Sequence, residues 1–196
     1  YECSSLIEIT IPSSVTKIEK FAFLGCSSLK QISFEIPSSI TSIGDNTFER
    51  CTSLKQVVIP SSVTSIGDNV FYKCSSLEQI SFEIPSSLTS IGSNSFSGCS
   101  SLKQIIIPSS VTKIEKLAFS GCSSLEEILF EIPSSLTSIE NNAFEGCLSL
   151  TQIVIPSSVK SIGDNEFYKC SSLEQISFEI PSSLTSIGSN SFSGCS

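Results

Sequence analysis

The nine cysteines of this 196-residue chain recur at steps that alternate strictly between 23 and 25 residues. They stand at positions 3, 26, 51, 74, 99, 122, 147, 170 and 195. A period of about 20 to 30 residues that covers a whole chain is typical of a solenoid, in which each coil buries its apolar side only against its neighbours. The spacing therefore predicts one repeat domain over residues 1–196, with about eight coils. Because the chain begins and ends in almost the same register, we expect it to be a piece of a longer array.

Composition narrows the classes of function. An apolar fraction of 39% with 13 Phe is enough for a continuous core, and only 15% of residues are charged. The net charge of −8 disfavours nucleic acid, which requires a clustered basic face, and disfavours electrostatic docking on anionic lipid. No apolar run approaches the length of about 18 residues that a membrane span needs, so we expect no direct membrane insertion in this segment.

One short coil, residues 53–74, displays the pattern within a repeat. Leu54, Val57 and Ile59 alternate at its start, and this predicts a short strand that ends at Pro60. Stacked coils would place these strands side by side in a parallel sheet. Asp68 then suits the N-cap of a short helical turn. The predicted fold is an α/β repeat solenoid, with a parallel β-sheet on one face and short helical turns and loops on the other.

Every second coil is longer by two residues beside its proline, and the insertion brings in a glutamate. We interpret these glutamates as a row of solvated carboxylates, or alternatively as a recognition ridge. They are Glu35, Glu83, Glu131 and Glu179. Residues 71–100 and 167–196 are identical over 30 positions, which indicates a recent duplication.

The consensus of the coils resembles the BspA-like, or Treponema-type, leucine-rich repeats. The residues that carry the resemblance in one coil are Leu102, Ile105, Ile107, Pro108, Val111, Ile114, Ala118, Phe119 and Cys122. Two features depart from the family pattern: the alternating insertion, and Glu166 at a position where Ala22, Ala118 and Ala143 are small.

Catalytic and metal chemistry have little support in this sequence. The absence of histidine removes Ser-His-Asp and Cys-His nucleophile activation and the mixed Cys/His zinc sites. One cysteine per coil favours a column of buried thiols, with disulfides between adjacent coils or a thiolate metal site as the alternatives. Asp-Asn pairs such as Asp68-Asn69 are interpreted as caps, with calcium as the alternative. We therefore predict no enzyme activity, cofactor or metal.

The outward positions of the strands vary from coil to coil while the core positions hardly vary, which makes this face the predicted binding surface. Stabilisation of neighbouring strands by stacked side chains is the alternative explanation. The candidate partner-binding residues are Lys55, Gln56, Val58, Glu78, Gln79, Lys103, Gln104, Ile106, Glu126, Glu127, Leu129, Gln152 and Val154.

These features together predict a non-enzymatic module that binds an extended protein ligand. The family resemblance implies a cell-surface or extracellular adhesin that binds host matrix or other cells. One alternative is an intracellular, cytoplasmic interaction scaffold, which free cysteines would favour. The other is a structural spacer or variable antigen array. Because no polar cap is visible in the sequence, we also expect end-to-end self-association.

Overall fold

The computed structural model describes residues 3–195, in which every coil contributes one strand of four residues and one of two. The longer strands are β1 (Glu8–Ile11), β3 (Gln31–Phe34), β5 (Gln56–Ile59), β7 (Gln79–Phe82), β9 (Gln104–Ile107), β11 (Glu127–Phe130), β13 (Gln152–Ile155) and β15 (Gln175–Phe178). The shorter strands are β2 (Lys17–Ile18), β4 (Ser42–Ile43), β6 (Ser65–Ile66), β8 (Ser90–Ile91), β10 (Lys113–Ile114), β12 (Ser138–Ile139), β14 (Ser161–Ile162) and β16 (Ser186–Ile187). The predicted stack of about eight coils is confirmed.

All strand pairing is parallel. The longer strands form a six-stranded sheet from β1 to β11 and a further pair, β13 and β15. The shorter strands form an eight-stranded sheet of their own, which sequence reasoning did not predict. Its isoleucines are buried in the core except in the last strand, and Ile66 and Ile91, for example, are in register with each other. Two residues are too short a segment to give an alternating pattern, so this sheet has no distinct signal in the sequence.

Pairing between the longer strands alternates from coil to coil. The strand of a short coil pairs over four residues with that of the following long coil, as β5 does with β7. The strand of a long coil pairs with the next short coil at its first residue only, Gln31 with Gln56 and Gln79 with Gln104. β13 lies beside β11 where the sheet divides into its six-stranded and two-stranded parts. The insertion therefore splits the strand face into pairs of coils.

The core is a set of columns in which each residue stacks on its equivalent in the next coil. The clearest column is aromatic: neighbouring rings are 5.2 to 5.8 Å apart between centroids and nearly parallel, from Phe23–Phe48 to Phe167–Phe192. Leu54, Leu77 and Leu102 are fully buried beside it. In an inner coil, each of these side chains is covered by the equivalent side chains of the two neighbouring coils. Stacking of the coils therefore removes the apolar surface from water.

The predicted helical turns are wrong: residues 3–195 contain no helix, so the fold is a β-solenoid, not α/β. The segment after Asp68 forms successive tight turns because Asn69 and Lys73 adopt positive φ values of 56° and 57°. The N–H groups of Asn69, Phe71 and Lys73 donate to carbonyls of the next coil at 2.8 Å. A helix would have used those donors within its own segment.

The predicted N-cap is also wrong, for the same reason. Asp68 Oδ1 accepts the N–H of Ser93 in the next coil at 2.8 Å, and Asp45 Oδ1 accepts that of Asp68 at 3.0 Å. Asn141 Oδ1 accepts the equivalent bond from the N–H of Asp164 at 3.0 Å. These side chains therefore join coils to each other.

Leu117 provides a test of the positive-φ turn. It adopts a φ of 57° at a position where most coils have Asn, which tolerates this region better than other non-glycine residues. Both Leu117→Asn and Leu117→Ala lose the apolar side chain, but only Asn suits the backbone. We expect the Asn variant to be more stable than the Ala variant by about 0.5–1 kcal/mol in urea unfolding. Equal stabilities of the two variants would contradict this.

Candidate functional site

The thirteen candidate residues on the strand face are all exposed. They form columns, because Gln56 is in register with Gln79 and Val58 with Ser81. Val58 and Ile106 expose about half of their surface, at 50% and 48%. Exposed apolar side chains that line up on one face make that face a candidate contact surface.

Charge on this face changes along the array. Lys55 and Glu78 of adjacent coils form an exposed ion pair of 3.9 Å, which contributes little to stability because water screens it. Gln104 Nε2 donates to Glu127 Oε2 at 2.6 Å in the next coil. The position just before each longer strand is a lysine only in the first five coils, at Lys30, Lys55 and Lys103. In the later coils this position is Glu126, Thr151 and Glu174.

The inserted glutamates do not form a free row of carboxylates. Glu83 Oε2 accepts the backbone N–H of Ser61 at 2.9 Å and its hydroxyl at 3.2 Å, just beyond the proline of the preceding short coil. The same backbone bond of 2.9 Å recurs for the other three, Glu35 to Ser13, Glu131 to Ser109 and Glu179 to Ser157. Each glutamate therefore joins its long coil to the coil before it.

The exposed feature of the insertion is instead its isoleucine, which sequence reasoning missed. Ile36, Ile84, Ile132 and Ile180 are 76% to 93% exposed, and each precedes a proline in a cis peptide bond. The strand register explains why: Phe82 pairs with Ile59 and occupies its place in the sheet, so Ile84 is left over. Ile59 and Phe82 both lie five residues after the equivalent leucines, Leu54 and Leu77, so aligning the two coils at these leucines predicts the pairing. The alternating pattern of a strand instead predicts that Phe82 and Ile84 both face the core.

These isoleucines border clefts on the strand face. One cleft of about 260 Å³ lies between β3 and β5, where Phe34, Ile36 and Val58 provide its apolar lining. A second, of about 480 Å³, lies between β7 and β9 and has the equivalent residues Phe82, Ile84 and Ile106. Both occur where the strands pair at one residue only.

The cysteine column is built for packing. Seven of the nine cysteines are buried, Cys3 is exposed and Cys195 is half-buried, and all are free thiols. Each thiol from Cys51 onward donates to the carbonyl of a phenylalanine in the preceding coil, as Cys99 does to Phe71 at 3.2 Å. Burial raises the pKa of Cys51 and Cys122 to about 12, so these thiols are not nucleophiles at neutral pH.

Glu166 is the one carboxyl group of residues 3–195 that is fully buried in the core. Its Oε2 accepts the N–H of Ala143 at 3.2 Å, whereas Oε1 has no hydrogen-bond partner. Burial raises its pKa well above the ordinary value, and the neighbouring Cys170 thiol raises it further. A carboxyl group buried with one oxygen unpartnered is a cost to folding.

Within 3–195, no three His, Cys, Asp or Glu side chains converge in a way that would hold a metal ion. None of these residues forms a helix long and apolar enough to cross a membrane.

Comparison with known proteins agrees with this geometry. The family model described as "BspA type Leucine rich repeat region" matches in six copies, over residues 1–126 and 80–196. The crystal structure of a T. pallidum leucine-rich-repeat protein is 29% identical with a TM-score of 0.65, covering 97% of this chain and 77% of that one. No curated protein sequence matches the chain.

Two further solved structures are similar. A leucine-rich cell-surface protein of Faecalibacterium prausnitzii is 27% identical with a TM-score of 0.56, and the match covers 98% of this chain. The pneumococcal vaccine antigen PcpA is 26% identical with a TM-score of 0.53, over 95% of this chain. This chain spans 66% and 55% of their respective lengths.

The Glu166 site has a matched control within the chain. Residues 67–74 and 163–170 are identical except that Val70 occupies the place of Glu166, and both are buried. We expect Glu166→Val to raise the free energy of unfolding at pH 7 by about 1–3 kcal/mol, and Val70→Glu to lower it by a similar amount.

The effect should depend on pH with a definite sign. The folded-state pKa of Glu166 lies above the unfolded value of 4.5. The free energy of unfolding is therefore highest below pH 4.5, where the carboxyl is protonated in both states, and it falls as the pH rises toward the folded-state pKa. The advantage of Glu166→Val over the native chain should therefore be larger at pH 7 than at pH 5. Urea unfolding at the two pH values measures this, and a constant difference would contradict the burial of an ionisable group.

The thiol column makes a labelling prediction. In the native protein at pH 8, iodoacetamide should modify the exposed Cys3 rapidly and the seven buried thiols only after unfolding. Mass spectrometry of native and urea-unfolded samples gives the two counts. Rapid native labelling of Cys74 or Cys99 would contradict their burial.

Burial raises the pKa of Cys74 and of Cys99 well above 9.0. The free energy of unfolding should therefore fall as the pH rises beyond 9.0, where the unfolded thiols ionise and the folded ones do not.

Proposed function

The chain belongs to the BspA-type leucine-rich-repeat family, and we propose that it is a non-enzymatic module that binds an extended protein ligand along its strand face. The observation that carries the proposal is the exposed face itself. It combines apolar residues such as Val58 and Ile106 with amides and charges in columns that vary between coils. Aromatic or aliphatic anchors among polar groups are the usual make-up of a protein-binding surface.

An extended ligand suits this face better than a small molecule. The variable positions run from Lys55 to Val154, across five consecutive strands spaced by about 4.8 Å. Small molecules bind in concave pockets that enclose most of their surface. The clefts here are open and recur along the array, so one ligand that crosses several coils would use them together. Weak contacts at each coil then add up through multivalency.

The proposed setting is the cell surface, with host matrix or other cells as the partner. Support comes from the similar solved structures, of which one is described as a cell-surface protein and another as a vaccine antigen. A surface with few charges and many Ser and Thr residues suits that setting.

An intracellular scaffold is the second candidate, and the free thiols favour it. Unpaired cysteines persist more readily in a reducing compartment than outside the cell. If labelling of the native protein finds these thiols protected, the free cysteines no longer favour the intracellular setting, because a buried column is protected in either compartment. A secretion signal in the parent protein would decide for the surface.

The binding face is tested by a triple variant. Val58→Asp, Ile106→Asp and Leu129→Asp place three carboxylates at half-exposed positions on the strands, where folding should tolerate them. We expect at least a tenfold loss of binding to immobilised matrix proteins and to cultured epithelial cells. Circular dichroism should report an unchanged fold.

A matched control adds the same charges away from the strands. The control variant combines Ser27→Asp, Ser75→Asp and Leu148→Asp. All three positions are exposed, and each directly follows a cysteine, in the turn that leads to the next strand. This variant should bind as the native chain does. Undiminished binding by the strand variant, or equal losses in both variants, would move the site off the strand face.

A further inference from the structure

We infer that the extended ligand of the strand face is a second copy of this chain, packed face to face about a two-fold axis between β7 and β9. This rests on the proposed function and names its partner; between two cells, such pairing is homophilic adhesion. Two features of the face, the order of its charges and the order of its clefts, are symmetric about that one axis.

The axis runs parallel to the strands and lies between the two facing sheets. It reverses the order of the coils but keeps each column opposite the same column of the other copy, as an interface between two identical patches requires. The coil of β1 then faces that of β15, and the coil of β7 faces that of β9. Because both copies have the same period, the match does not depend on the separation between strands, even where they diverge at the clefts.

The position just before the longer strand alternates in charge over the four middle coils. It is Lys55, Glu78, Lys103 and Glu126 in chain order, and all four are exposed. An alternating series of four charges becomes its own complement when it is reversed, so Lys55 of each copy faces Glu126 of the other, and Glu78 faces Lys103. Within residues 3–195, Lys103 and Glu126 form no ion pair in their own chain, which leaves both available to a second copy.

The other positions of this column and of the next one place no like charges opposite each other. The remaining facing pairs are Ile7–Glu174 and Lys30–Thr151 in this column, and Glu8–Gln175, Gln31–Gln152, Gln56–Glu127 and Gln79–Gln104 in the column that begins each longer strand. A glutamine amide both donates and accepts, so it suits either a second glutamine or a carboxylate opposite it.

Other registers lose this match. A shift by one coil places Lys55 opposite Lys103 in one direction and Glu78 opposite Glu126 in the other. A shift by two coils leaves two coils of each copy unpaired, and in one direction it also places Lys30 opposite Lys103. Like charges that face each other across an interface disfavour the wrong arrangement, so the charge order favours the register centred between β7 and β9.

The clefts are symmetric about the same axis. The β7/β9 cleft lies on it, and the β3/β5 cleft lies two coils away. Two coils away on the other side, β11 and β13 carry the equivalent exposed residues. The isoleucine of each long coil then faces a short coil with an exposed aliphatic side chain, and contact removes both from water. The facing pairs are Ile36 with Val154, Ile84 with Ile106 and Ile132 with Val58.

The carboxylates that line the clefts are compatible with this packing. Glu78 faces Lys103. Glu83 and Glu131 accept the backbone N–H groups of Ser61 and Ser109, so each carboxylate lies at the level of a short coil. Since every short coil faces a long one, these carboxylates do not face each other across the axis.

The face is narrow, because its strands are only four residues, or about 13 Å, long. A small interface of this kind is typical of a weak complex. We therefore expect a submillimolar dimer in solution, and adhesion would rely on many copies on each surface.

Paired charge reversals test the inference. One variant carries Lys55→Glu and Lys103→Glu, and the other carries Glu78→Lys and Glu126→Lys, so each has four like charges in the middle of its column. In sedimentation equilibrium at submillimolar concentration, we expect the native chain to form a dimer and each variant to dimerise at least tenfold more weakly. An equimolar mixture of the two variants should dimerise as the native chain does, because its facing charges are opposite again.

The second variant is also the control for repulsion between whole chains. Each of its two substitutions adds two positive charges, which changes the net charge from −8 to −4, so overall repulsion falls although the facing charges become alike. A native chain that stays monomeric, a charge variant that dimerises as the native chain does, or a mixture that stays monomeric overturns the inference.

The apolar contacts have a matched control within the chain. Ile36→Ser, Ile84→Ser and Ile132→Ser together should weaken the dimer at least fivefold, and their exposure should leave folding intact. Ile180→Ser should have little effect, because no later strand of residues 3–195 forms a cleft with this exposed residue. Equal effects of the two variants contradict the proposed packing.

A crosslink locates the axis. Val58 and Leu129 face each other in this register, and both are exposed. In a Cys3→Ser background, oxidation of mixed Val58→Cys and Leu129→Cys chains should join these two positions, which mass spectrometry of the crosslinked peptides identifies. Self-crosslinking of the Val58→Cys chain at an equal rate overturns the inference.

The proposed function and this inference can fail separately. If the native chain is monomeric while the Val58/Ile106/Leu129 variant loses adhesion to matrix or cells, the proposed function stands and this inference is wrong. If the native chain dimerises as expected and that variant still adheres undiminished, this inference stands and the site for matrix or cells lies elsewhere. If the native chain is monomeric and the variant adheres undiminished, both are wrong.

Discussion

The ring of Phe119 lies between those of Phe96 and Phe144, at centroid distances of 5.2 and 5.4 Å, and it has no solvent exposure. No coil of this chain could bury that ring alone, because a coil of about two dozen residues has no interior of its own. Neighbour-on-neighbour burial is thus the constraint on which every other feature depends. It explains why the core columns are nearly invariant while the outward columns vary freely.

The same constraint determines where the hydrogen bonds go. In the turn segment, N–H groups such as that of Phe71 donate to the next coil, and Asp68 accepts from it as well. Side chains that look like local helix caps therefore act between coils. The Cys99 thiol, which donates to the carbonyl of Phe71 one coil away, belongs to the same system. Polar groups in a solenoid serve the stack before they serve their own segment.

The two-residue insertion converts this uniform stack into pairs of coils. On one side of a long coil, the strand ladder continues into the glutamate, since Glu83 N–H donates to the carbonyl of Ile59 and its carboxylate accepts from Ser61. On the other side, the strands separate after Gln79 and leave the cleft that Ile84 borders. A feature that adds only one apolar and one acidic residue to each long coil therefore creates a new surface with a period of two coils.

The number of coils, the core columns, the position of the longer strands and the outward columns were all predictable from the sequence. Repetition makes this possible, because a residue such as Leu102 or Ile105 meets the same environment in every coil. The short sheet, the absence of helix from residues 3–195 and the exposure of Ile84 were not predictable from the local pattern. Each depends on how neighbouring coils pair: the Phe71 N–H donates to the next coil, and Phe82 pairs with Ile59, which leaves Ile84 outside the sheet. These pairings exist only once the coils are stacked, so only the tertiary structure decides them.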